Sequence, residues 1–257
     1  MNLYQNRRCL PVKIRMTAEQ SNKDNFLIKV IDKYHFEQKD KPLIEEVYEE
    51  LLRTATPFAI YKINQWLTGL KYIDDGQVAL VAMTLGKGPD ILEETYTEAG
   101  KLTEAYMVEC LSNEILLGMY SEFNQLYARF HRRYVTRYVF IGDDIPVSQM
   151  KDILDKLQQC GENSTAEIVA NEYGVLTPSK SVVFYAMLSD DPYVRCEGVC
   201  VGCHNTNCDN RISKSDSSEA SASDKRNFHL NSGLNYGYRR IFGEGTQKGG
   251  KKEHVEG

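Results

Sequence analysis

Between residues 41 and 57, Leu43, Ile44, Val47, Leu51 and Leu52 recur at the spacing of one helix face, and Pro42 suits a first helical turn. The pattern then changes. PFAIYKINQWLTGLKYI (57–73) is rich in aromatic and β-branched residues and is consistent with a strand. VALVAMTLG (78–86) is a continuous apolar run of buried-strand length, closed by the turn signals Gly86, Gly88 and Pro89. From about Asp90 to Arg133 the spacing is helical again, with Leu102, Ala105, Val108, Leu111, Ile115 and Met119 on one face. TRYVFIG (136–142) predicts a strand, and GDD turns it into a short helix through MKDILDKL. SVVFYAML (181–188) predicts a second strong strand. Residues 1–40 are polar apart from the strand-like LPVKIRM and the apolar FLIKVI. Strands and helices are mixed without regular βαβ alternation and no fixed-period repeat is visible, so an α+β fold is expected rather than a doubly wound sheet.

Composition narrows the partners. The chain has 257 residues, a formal net charge of −5 and 42% hydrophobic residues, which is globular and acidic. An acidic chain lacks the basic face that bulk nucleic acid requires, so no nucleic-acid partner is expected. No apolar run approaches the roughly 20 residues of a membrane span. The first residues (MNLYQNRRCLPVKIRM) lack the apolar stretch of a signal peptide. A cytoplasmic, reducing location with no membrane partner is the expectation.

That setting changes how the seven cysteines read. Cys9, Cys110 and Cys160 are scattered, whereas Cys196, Cys200, Cys203 and Cys208 fall within thirteen residues. In a reducing compartment such a cluster points to a metal centre rather than a disulfide frame. The intervening lengths are three, two and four residues, and thiolates this close can surround one centre only if the backbone turns tightly. Gly198 and Gly202 supply that freedom. A compact four-cysteine run resembles those that hold iron–sulfur clusters, with a 4Fe-4S cluster the first expectation. Zinc is the alternative, although its structural sites more often pair two CxxC knuckles across a longer loop.

Composition also suggests boundaries. SKSDSSEASASDK (213–225) has almost nothing to bury, and the tail beyond it carries NYGYRRIFGEG and a Gly/Lys-rich end. The expected organisation is a body over 1–190, a four-cysteine module over 191–212, and a linker and tail over 213–257.

Three stretches of the body form an ordered set: AMTLGKGPDILEE, then TRYVFIGDDIPVSQMKDILDKL, then NEYGVLTPSKSVVFYAML with its P-x-K-S-V. In this order the chain resembles the activation (reactivation) domain of vitamin B12-dependent methionine synthase, over roughly residues 40–190. It is most similar to the small stand-alone relatives of that domain. The resemblance implies a twisted antiparallel sheet with flanking helices that docks on a corrinoid-binding protein or methyltransferase. It further implies a role in returning oxidised cobalt to use, with S-adenosylmethionine as methyl donor and an external electron donor such as a ferredoxin or flavodoxin. The family's donor-binding signature is an Arg, three residues, then Gly-Tyr. Arg137 matches, but Ile141 and Gly142 stand at the Gly-Tyr positions, a departure that speaks against S-adenosylmethionine binding. Asp143 offers a carboxylate for a ribose or a sulfonium-bearing amino acid, and with Asp144 it also reads as a turn former. Glu109 and Glu114 lie on the helix where the family has an acidic contact.

Two functional readings follow. In one, the body docks on a corrinoid protein and an iron–sulfur cluster in the cysteine module brings it an electron. In the other, the chain is a non-enzymatic partner-binding module with a structural zinc site. Direct methyl transfer from S-adenosylmethionine ranks below both, because no Gly-rich nucleotide loop of a doubly wound methyltransferase is present.

Overall fold

The computed structural model describes residues 20–69, 76–142, 145–158, 168–194, 196, 198 and 199. Among them, α1 spans Gln20–Lys33, α2 Lys41–Thr54, α3 Gly88–Glu98, α4 Leu102–His131 and α5 Met150–Gln158. The strands are β1 (Phe58–Leu67), β2 (Gly76–Thr84), β3 (Tyr134–Phe140), β4 (Val169–Ala170), β5 (Leu176–Thr177) and β6 (Ser181–Ser189). Four of them form an antiparallel sheet in the order β1-β2-β6-β3, and β4 and β5 pair as a small separate hairpin. The fold is α+β.

Strand alternation sorts the sheet's side chains into two layers. Ala79, Val81 and Met83 of β2 share a face with Phe184 and Ala186 of β6 and Tyr138 of β3, and helices α1–α4 cover that face. Leu80 and Ala82 share the other face with Val183 and Val139. There α5 lays down Met150, Ile153, Leu154 and Leu157, the i, i+3, i+4, i+7 stripe of an amphipathic helix. Because both faces are covered, β2 is buried from Val78 to Thr84, which explains its unbroken apolar run.

One element differs from the sequence expectation. The helical region expected over 90–133 is two helices, α3 and α4. The break falls at Gly100, whose φ of +73 is left-handed, while the Lys101 N–H donates to the Tyr96 carbonyl at 2.8 Å. This is the reverse turn by which a glycine ends a helix. The strand-like LPVKIRM lies outside the described residues. Among the described residues, no helix is long and apolar enough to cross a membrane.

Candidate functional site

Two of the three ordered motifs meet at one end of the sheet. The Leu85 N–H donates to the Lys180 carbonyl at 3.0 Å, and the Ser181 hydroxyl donates to Thr84 Oγ1 at 2.8 Å. Ser179 donates to the Asp90 carboxylate twice, from its backbone N–H at 2.9 Å and its hydroxyl at 2.6 Å. The Lys180 side chain is buried and reaches across to Glu109 and to Asn113 Oδ1 on α4. The loop between β2 and α3 passes so close to α2 that a Cβ on Gly88 would stand 2.1 Å from the Thr54 carbonyl oxygen. Gly86, at φ +78, would bring a Cβ equally close to Thr56 Oγ1. The polar groups here satisfy one another. Chemically the cluster is a clasp that fixes the β2–α3 loop against the start of β6.

The third motif is elsewhere. Arg137 pairs with Met187, six positions along β6 from Ser181, and therefore about 20 Å from the clasp. Its register also puts it on the α5 side of the sheet, whereas Lys180 reaches α4. The Arg137 Nε is buried and has no hydrogen-bond partner among the described residues. Gly142 has a φ of +107, donates its N–H to the Ile145 carbonyl at 2.7 Å, and faces open space where a Cβ would stand. Asp143 and Asp144 lie outside the described residues. Arg137 and the Lys180 clasp thus do not form one site.

Glu114 lies on α4, as expected, and faces inward. Its side chain is fully buried and bridges α4 to the end of α1. Lys29 donates to it at 3.0 Å and the Tyr34 hydroxyl at 3.1 Å, and Lys33 donates as well. Burial alone would push the carboxyl up, but the two ammonium groups outweigh it and hold the group below the usual carboxylate range. Glu114 ties two helices together. Burial conversely pushes the Cys110 thiol up to about 11, so this cysteine stays protonated at neutral pH.

The start of the cysteine run does touch the body. After β6, Arg133 Nε holds Asp190 at 3.0 Å, and Asp191 accepts the Tyr193 and Val194 N–H groups in a tight turn. The chain comes back against the α1–α4 face, where half-buried Cys196 and Val199 pack on the core. Between them, Gly198 turns with φ +87. Tyr138 belongs to the same core cluster on which Cys196 packs. Burial and the Cys196 sulfur together push the Tyr138 phenol far up, so it remains a neutral O–H. Asn124 of α4 donates to the same phenol oxygen at 2.6 Å. Cys200, Cys203 and Cys208 lie outside the described residues.

No protein-family model and no curated protein matches the chain.

The motif likeness therefore rests on the chain's own residues. Of the four-cysteine set, only Cys196 is among the described residues, with the left-handed Gly198 two residues after it. This donor chemistry fits a thiolate-bound centre. Among the described residues the Cys196 thiol is free and packs against the body, and a left-handed glycine follows two residues later. Tyr138, in the core cluster on which that cysteine packs, was not visible as a site residue in the sequence. Tyr138 reads there as one more apolar strand position, and only the pairing of β3 with β6 brings it next to a segment nearly sixty residues later.

Proposed function

We propose that this protein reactivates a corrinoid protein of a methyl-transfer system, with an iron–sulfur cluster held by Cys196, Cys200, Cys203 and Cys208. The observation that carries the reading is the packing of Cys196 on the body with a left-handed glycine after it, in a chain whose body has the ordered motifs of a cobalamin-reactivation domain. Such a cluster supplies single low-potential electrons, the kind needed to return inactive cobalt(II) to nucleophilic cobalt(I). The chain's own residues have separate tasks. The clasp around Lys180 and Asp90 shapes a rigid docking body, and the Arg133–Asp190 ion pair returns the chain so that Cys196 sits against it. The electron comes from an external donor such as a ferredoxin or flavodoxin, and the corrinoid comes with the partner. The reading places the protein in the reducing cytoplasm.

The test mixes reduced protein with a cobalt(II) corrinoid carrier and a trap for cobalt(I). The visible spectrum is expected to convert, and a variant lacking all four cysteines is expected to bind the carrier without converting it. Conversion at the wild-type rate by that variant would refute electron delivery through the module. A second reading, zinc holding a structural hook, draws on the same packing of Cys196 and Val199. It predicts a colourless protein after anaerobic purification, whereas the cluster gives a brown one.

S-adenosylmethionine is expected to bind weakly or not at all, since Ile141 and Gly142 replace the family's Gly-Tyr pair. Calorimetry on the purified chain checks this. A dissociation constant in the low micromolar range, roughly −8 kcal/mol, would show that other residues had rebuilt the site.

A further inference from the structure

We infer that Tyr61 is a redox-active tyrosine: a one-electron oxidant takes an electron from its phenol while the phenolic proton passes to His131 Nε2, leaving a neutral tyrosyl radical beside an imidazolium. The site uses none of the cysteines.

Tyr61 lies on β1, and His131 is the last residue of α4. The phenol oxygen and the imidazole Nε2 stand 2.8 Å apart. An imidazole nitrogen is a far stronger base than a phenol oxygen, so the Tyr61 O–H donates to Nε2 and the ring proton of His131 sits on Nδ1. The two rings meet edge to face, with centroids 5.6 Å apart. Tyr127 packs against both, 4.6 Å from His131 and 5.5 Å from Tyr61, and Phe123 closes a further side of Tyr61 at 5.7 Å. Tyr61 is 2% exposed. The phenol is therefore held on a basic acceptor, inside a wall of rings that keeps water off it.

Removing an electron turns a phenol into a strong acid. In water the proton leaves to solvent at once. In this interior a phenol radical cation would be a buried, uncompensated charge, so the electron leaves readily only where a base already receives the O–H. His131 is that base. The O–H bond of Tyr61 breaks, an N–H bond forms on Nε2, and the electron reduces the oxidant by one, a diffusing radical or an oxidised metal complex. Re-reduction of the radical returns the proton to the phenol. The new positive charge falls at the C-terminal end of α4, where the backbone carbonyls favour it. Of the arginines around it in sequence, Arg129 and Arg132 are exposed to water and Arg133 is offset by Asp190 at 3.0 Å.

Other phenols have poorer acceptors. Tyr96 donates to Glu50 at 2.6 Å and Tyr34 to Glu114 at 3.1 Å, and carboxylates are weaker bases than imidazole. Tyr138 meets the amide of Asn124, which is not basic. An electron vacancy formed on Tyr127 is carried on to the Tyr61 ring it touches, because the proton transfer to His131 makes Tyr61 the lower-energy place for it. The protein can thus hold one oxidising equivalent in its core.

The experiment uses the full-length protein, oxidised by flash photolysis of tris(bipyridine)ruthenium with persulfate and read by electron paramagnetic resonance. The organic radical is recorded at temperatures where iron–sulfur signals have broadened away. A long-lived neutral tyrosyl signal is expected, forming more slowly in deuterium oxide because the proton moves with the electron. Tyr61→Phe, which keeps the ring and removes the hydroxyl, is expected to lose that signal. His131→Gln offers the phenol an acceptor that is not basic, and is expected to lose it as well; this variant, at a half-buried position, carries the test if Tyr61→Phe fails to fold. Replacing Tyr173 and Tyr193 by phenylalanine removes two highly exposed phenols and is expected to leave the long-lived signal in place. A wild type without a long-lived radical, a signal that survives Tyr61→Phe or His131→Gln, or one that disappears with Tyr173 and Tyr193 overturns the inference.

Discussion

Replacing Cys196 and Cys200 together by serine is expected to abolish bound metal while the body stays folded. A four-thiolate centre that loses two ligands loses half of its coordination, and the remaining pair, Cys203 and Cys208, cannot surround a metal. The body should scarcely respond. Cys196 is half-buried and packs from outside on a core built by α1–α4 and the sheet, so a sulfur-to-oxygen change there should cost within about 1 kcal/mol. Metal analysis and a urea titration of the same preparation read the two halves of the prediction. Full metal retention in the double variant would sink the assignment of these cysteines as ligands. A large loss of stability with metal already absent would mean that Cys196 serves the core instead.

The second large effect belongs to Glu114. Replacing Lys29 and Lys33 together by methionine strips a fully buried carboxylate of both its ammonium partners while keeping the Tyr34 hydroxyl on it. Removing one side of a buried ion pair typically costs 3–5 kcal/mol, and the lysines' partial exposure and the retained tyrosine place the expected loss at about 3 kcal/mol. For a domain of this size that lowers Tm by roughly 6–12 °C. The pH dependence gives a sharper signature. In the wild type the folded Glu114 is depressed below its ordinary value of 4.5, so its contribution is present above that value and is lost as pH falls through the depressed folded value. In the double variant burial is no longer offset by the two ammonium groups and raises the folded value. The penalty is then greatest at neutral pH and shrinks in acid, where the buried carboxyl accepts a proton. Urea midpoints for both proteins at pH 7 and pH 4 test this, and a deficit of equal size at both would contradict it.

The parts of the fold that the sequence revealed are those where one local period dominates. In α2, Ile44, Val47 and Leu51 are all buried, as their spacing implies. The apolar run of β2 is continuous because both of its faces are covered. The α3–α4 break was hidden because apolar residues continue in nearly helical register through it, and a single glycine with left-handed φ decides the matter. The site was legible to a different extent. The cysteine spacing and the two glycines stand out in one short stretch. The Asp90–Ser179 contact joins two quoted motifs, but nothing local announces that they meet. Lys29 and Lys33, four apart on α1, look like an ordinary solvated helix edge until α4 brings Glu114 between them. Pairings of this kind depend on strand order and helix docking, which no periodicity encodes.

The strand order has a consequence for how the chain is made. In β1-β2-β6-β3, β6 is the last strand synthesised among the described residues, yet it lies in the interior of the sheet, between β2 and β3. About forty residues separate the end of β3 from the start of β6, so at 5–20 residues per second β3 waits roughly 2–8 s for its sheet neighbour. During that interval β2 and β3 each present an unpaired row of backbone donors and acceptors. Helices α1–α4 can gather around the β1–β2 hairpin in the meantime, but no strand yet pairs β3 with it. A nascent chain stopped before Ser181 would carry two open edges at once. Such fragments are natural substrates for chaperones that hold exposed strands, and the completed protein no longer needs them once β6 has zipped the two halves together.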